Sequence, residues 1–196
     1  ALALTGRLPL SGGTISWSKG DDEPRRISMK RLRALSSVVD SPDVTAPEQH
    51  MRVHDYVSEM LSYNLPIFGR SRASRWLAER GLEDLDGLWM DEISGEMNIE
   101  LMTALAKHSP SDLLVFDTPS RHLNHTYMWL PYLEELAADE DHPRTVVAVV
   151  PHISESWHGA RAVVGRAPEE NAPDPVEGEV ESSNDSPEHG ENAEKE

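Results

Sequence analysis

Two apolar runs in this chain each deliver a chemically capable side chain and then stop. In "DLLVFDTPSRHL", residues 112–123, Leu113, Leu114, Val115 and Phe116 lead straight into Asp117, and the pattern breaks on Thr118 and Pro119. "TVVAVVPH", residues 145–152, ends on Pro151 and His152. In open parallel sheets, ligands sit outside the carboxyl ends of the strands. A carboxylate fixed there is how phosphate-hydrolysing enzymes hold Mg²⁺, because a hard cation takes oxygen ligands, often through water. The same pattern also makes turns and helix caps, so one aspartate assigns nothing alone.

The elements that must position these groups alternate along the chain. Residues 1–8 read as the end of a helix stopped near Pro9, followed by the turn at Ser11, Gly12 and Gly13 and a short strand over 14–17. Residues 28–37 set Lys30, Arg31 and Arg33 beside Met29, Leu32 and Leu35, an amphipathic element with a solvated basic face. "MRVHDYVSEMLSYN", 51–64, spaces Val53, Tyr56, Val57, Met60 and Leu61 as a helix, and a second helix fits 73–79 before Gly81. Ser94 is an N-cap for a helix with Ile99, Met102, Leu105 and Ala106 on one face, ended by Pro110. A helix over 128–138 then leads to the strand at 145. This order predicts an α/β class with a mainly parallel sheet. The tryptophans at 17, 76, 89, 129 and 157 are scattered as packing residues would be.

Composition bounds the rest. The 196 residues suit one ordinary domain, and 38% hydrophobic content is low for a chain folded throughout. Net charge is −17, which opposes a general nucleic-acid surface. Residues 167–196 carry eleven Asp or Glu, one Lys and four prolines, and are expected to form a disordered acidic tail behind a domain spanning 1–166. With no cysteine there are neither disulfides nor thiolate metal sites, which fits a reducing compartment. His122 and His125 could begin a metal site with His152 or His158, but no carboxylate or cysteine completes the set.

Taken in order, these pieces resemble the ATP-binding cassette, or ABC-type, ATPases. "LTGRLPLSGGTISW" looks like the passage that follows that family's phosphate loop and first helix. "MRVHDYV" resembles the start of its helical subdomain, here about 51–92, and "ERGLEDLDGLWMDEISGEM" the approach to its signature motif. "LLVFD" is similar to the Walker B strand, and "TVVAVVPH" to the final strand with its switch histidine. The resemblance implies a phosphate-loop NTPase-like sheet with a helical subdomain. It gives Asp117 a role in supporting Mg²⁺ and has His152 contact the γ-phosphate or the attacking water. Ser94 and Gly95 would face the phosphates of ATP held by an opposing subunit. It further implies a homo- or heterodimer of ATP-binding domains, a membrane-embedded transporter subunit or domain as partner, and a cytoplasmic location, peripheral to the inner face of the membrane.

The chain departs from the family's pattern at several points. The general base, a glutamate after the Walker B aspartate, is Thr118, which cannot take a proton from water at neutral pH. Glu96 replaces the second signature glycine and Met97 the glutamine, while the loop after Walker B ends in Asn124 instead of Asp. No glutamine stands near Val39 and Asp40, where the Q-loop should fall. No G-x-x-x-x-G-K-[ST] occurs, so the chain is expected to begin just past a phosphate loop. Three functions follow: an ATP-binding subunit with weak hydrolysis, a non-hydrolysing cassette-fold interaction or regulatory module, or a partitioning-type phosphate-loop ATPase. The helical stretch before "ISGEM" speaks against the third.

Overall fold

The computed structural model describes residues 1–64, 73–155 and 157–164, and divides the chain into two units, Ala1–Trp157 and His158–Glu196. The second unit is described over 158–164 alone, where it is irregular. The acidic stretch 167–196 lies outside the described residues.

The first unit opens with a turn in place of the expected helix end. Gly6 N–H donates to Ala3 O at 3.1 Å and Arg7 N–H to Leu2 O at 2.8 Å, while the Thr5 hydroxyl bonds Leu2 O at 3.2 Å. Gly6 sits at φ 67°, and a Cβ there would lie 2.7 Å from Met29 O, so this corner needs glycine for its backbone and for its packing. Two short strands, β1 (Ser16–Trp17) and β2 (Arg25–Arg26), pair antiparallel as a ribbon. Helix α1 (Met29–Leu35) is capped by Ser28, whose hydroxyl accepts from Arg31 N–H at 3.3 Å.

Strand β3 (Ser36–Val39) follows α1 without a loop and was not legible as a strand. Its first two residues are serines, so it lacks the apolar run that marks the others. Two helices come next, α2 (Val53–Asn64) and α3 (Ala73–Ala78), then a 3₁₀ turn over Glu83–Leu85. Helix α4 (Gly95–His108) feeds strand β4 (Leu113–Asp117). Helix α5 (Thr126–Ala137), which starts two residues before its predicted position, feeds strand β5 (Thr145–Val149).

The sheet is parallel and ordered β3-β4-β5, with Val39 opposite Phe116 and Asp117 opposite Val149. The chain is therefore α/β with a parallel sheet, as the alternating pattern requires. Helix α4 is buried around most of its circumference: Ile99, Leu101 and Met102 are each at most 1% exposed. Thr103 survives in that setting because its hydroxyl bonds Ile99 O at 2.8 Å. Trp76 and Trp129 are each 1% exposed and join the same core.

The strands differ in cover. Leu113 to Phe116 of β4 are all buried, whereas the equally apolar β5 is at best half-buried. Parallel strands are normally covered on both faces. Among the described residues nothing pairs with the outer edge of β5.

Two stability measurements test this packing. Leu114→Ala should cost about 2–5 kcal/mol in urea unfolding, because it opens a cavity beside fully buried neighbours. Val147→Ala on β5 should cost clearly less, and equal losses would mean that β5 is covered after all. His108 supplies the second test. Burial, and then the neighbouring Arg80, hold its pKa below the ordinary imidazole value of 6.5. The unfolded chain therefore takes up this proton before the folded one does, and stability should fall as the pH drops through and below 6.5. His108→Gln should flatten that part of the profile, and an unchanged profile would remove His108 as its source.

Candidate functional site at the strand ends

Strands β3 and β4 present the same sequence logic: a pair of apolar residues, then an aspartate. Val38 and Val39 lead to Asp40, and Val115 and Phe116 lead to Asp117. Because the strands are parallel neighbours in register, both carboxylates emerge at one end of the sheet.

Asp117 is half-buried and its two oxygens are engaged by hydroxyls. Ser41 Oγ donates to Oδ2 at 2.7 Å, and Thr118 Oγ1 to Oδ1 at 3.3 Å. Ser41 belongs to the loop after β3, so this bond ties the two strand ends. Thr118 has φ 58° and ψ 56°, the left-handed region that a β-branched residue seldom occupies. Its N–H donates to Val149 O at 2.8 Å, which extends the β4–β5 ladder by one bond before the chain turns. The turn continues as a 3₁₀ segment, Pro119–Arg121, with proline supplying its first residue.

Asp40 is 4% exposed and also has positive φ, 56°. Its Oδ2 accepts from Arg121 Nη2 at 2.9 Å and from His122 Nε2 at 2.6 Å, and the same guanidinium reaches the Asp40 carbonyl. With Nε2 protonated, the other ring nitrogen of His122 accepts from Asn98 Nδ2 at 3.3 Å. Asn98, 8% exposed, is then left with Oδ1 unpaired. Burial, and next the Asp40 charge, raise the pKa of Tyr56, whose hydroxyl holds the following loop by donating to Thr45 O at 3.0 Å.

Ser94 and Gly95 begin α4 and meet this cluster from the side. The Ser94 hydroxyl accepts from Met97 N–H at 3.2 Å and so caps the helix. A Cβ on Gly95 would fall inside the carbonyl oxygen of His122, so only glycine allows α4 to approach the turn after β4 so closely. His152 is exposed and forms no hydrogen bond with a described residue. Of the residues singled out from the sequence, Asp117 and Thr118 thus touch each other, Gly95 packs on the adjoining turn, Ser94 caps α4, and His152 bonds no described residue. Asp40, Ser41, Arg121 and Asn98 complete the cluster without having been singled out as site residues. The repeat of an apolar pair followed by aspartate was the one signal that could have exposed Asp40. His122 is committed to Asp40 and Asn98, and among the described residues no group of three or more His, Asp or Glu is placed to hold a metal ion.

No family model matches the sequence, and no curated protein matches it. Among solved structures, the chain is similar to an inward-facing ABC transporter assigned to the metal-chelate type, with 20% identity, a TM-score of 0.40, and coverage of 58% of this chain and 48% of that one. It is also similar to an ATP-binding protein from Pyrococcus furiosus assigned to an ABC transporter, with 13% identity, a TM-score of 0.45, and coverage of 68% and 67%. The chain thus spans about half the length of the first. Likeness at this level assigns neither an activity nor a ligand to this chain.

Proposed function

We propose that residues 1–166 are part of an ABC-type ATP-binding domain, in which Asp117 supports the magnesium ion of a bound nucleotide and hydrolysis is weak. The observation that carries this reading is Asp117 itself: a carboxylate at the end of the buried central strand, oriented by the Ser41 hydroxyl at 2.7 Å. A carboxylate oxygen that accepts one hydrogen bond keeps a second lone pair, so the residue fits a hydrated hard cation. The residues of this chain do not by themselves fit the triphosphate, since they include no glycine-rich loop with a lysine. The half-covered edge of β5 is the position for a further parallel strand, and a strand carrying such a loop belongs there. When bound, Mg²⁺ would neutralise phosphate charge; this chain's part is to hold and orient the carboxylate.

Thr118 stands where the family has its base. Its hydroxyl is turned onto Asp117, and it has no group that can accept a proton from water at neutral pH. Ser94 spends its hydroxyl on capping α4, and Glu96 adds negative charge at the same helix end. These features favour nucleotide as a ligand that is held longer than it is turned over. They also favour the second reading, a cassette-fold module that signals through partners without hydrolysis. The first reading implies a membrane-embedded transporter subunit or domain and a second ATP-binding domain as partners. No helix among the described residues is long and apolar enough to cross a membrane.

Residues 1–196 alone should show no saturable affinity for Mg·ATP tighter than about 1 mM in calorimetric titration. Tight binding would overturn the missing-loop reading and move the site elsewhere. Joined to an upstream segment that supplies the phosphate loop, the chain should bind Mg·ATP, and Asp117→Ala should weaken that binding. In the same fusion Thr118→Glu should raise phosphate release, by at most the roughly 10²- to 10⁴-fold that a general base contributes. Brisk hydrolysis by the unmodified fusion would show that the base lies elsewhere.

A further inference from the structure

Beside the Asp40 cluster lies a cleft of about 540 Å³, within the range of small-ligand pockets. One wall is apolar, from Ala46, Pro47, Met90 and Ile93; the polar side includes Asp40, Asp91 and Asn98. We propose that this cleft binds an aliphatic cation, an ammonium or guanidinium group on a short apolar stem.

The argument rests on acceptors left open in buried residues. Asp40 places both of its ion pairs on Oδ2, and Oδ1 accepts no hydrogen bond from any described residue. Asn98 donates to His122 and leaves Oδ1 unpaired. Buried acceptors are normally satisfied, so the unpaired Oδ1 of Asn98, on a residue only 8% exposed, marks a position where a donor belongs, beside the open Oδ1 of Asp40. Asp91 adds a second carboxylate; its own partner, His50, is 3.5 Å away and largely exposed. Against these stands one cation, Arg121, whose guanidinium is engaged by Asp40 and by Asp117 O. Two aspartates, Asp40 and Asp91, thus face the cleft against the single guanidinium of Arg121. A donor-rich cation therefore complements it, and the apolar wall accepts the methylene stem. The inference does not depend on the nucleotide reading, because it uses neither Asp117 nor the β5 edge.

The cation could be a free small molecule or the arginine side chain of a partner protein. Butylguanidinium chloride and a blocked Ala-Arg-Ala peptide, titrated at fixed ionic strength into the full chain and followed by amide NMR shifts, distinguish these sources. Saturable shifts at Asn98 and Gly95 are expected with one or both probes, and the tighter probe identifies the source. Asp91→Asn should weaken binding severalfold, and Ala46→Trp should abolish it by filling the cleft. No saturation below about 10 mM would overturn the proposal. So would equal saturation by 1-butanol, binding unaffected by Asp91→Asn, or binding retained in a folded Ala46→Trp protein.

Discussion

The ion pair between Asp40 and the Arg121-His122 turn is the interaction on which this end of the molecule depends. Asp40 ends β3, Arg121 and His122 follow β4, and His122 passes the contact on to Asn98 in α4. Three elements far apart in sequence are thereby fixed by one buried carboxylate. Breaking such a pair from one side typically costs about 3–5 kcal/mol, because a charge is left buried without its partner. Here two of the groups sit on backbone that is already unusual: Asp40 has positive φ, and Arg121 lies in the turn launched by the left-handed Thr118. Strain of this kind persists when the surroundings over-determine it, and the strand-end bonds supply that determination.

Gly95 is the steric counterpart of the same arrangement. Asn98 can reach His122 only if α4 lies close against the turn after β4, and that approach leaves no room for a Cβ at position 95. The residue therefore has a structural reason to be glycine whether or not its backbone ever meets a phosphate. Ser94 likewise has a sufficient role as a cap. Asp117, by contrast, is oriented by its two hydroxyl partners without being neutralised.

The sheet shows a gradient of cover that bears on both functional readings. Its central strand is buried from Leu113 to Phe116 and β3 largely so, while β5 has the composition of an inner strand and the exposure of an edge. Edge strands exposing apolar residues invite pairing. An ATP-binding domain and a cassette-fold interaction module would both use that edge, the first for a strand that brings a phosphate loop and the second for a partner.

The alternation of helix and strand, and with it the parallel α/β class, is legible along the chain because a run such as Leu113 to Phe116 and the 3.6-residue spacing in α4 are local signals that survive burial. Equally legible there is that Asp117 ends a strand and that Thr118 offers no base. Strand β3 carries no such signal because serines open it, and residues 1–8 form a turn, not a helix end, because Gly6 and the Thr5 hydroxyl favour a geometry that hydropathy does not record. That Asp40 and His122, 82 positions apart, are partners and that Gly95 is pressed against the His122 carbonyl follows from the packed fold alone. Long-range pairing depends on the register of parallel strands and on how closely a helix can approach them, and neither quantity is written in any short stretch of chain.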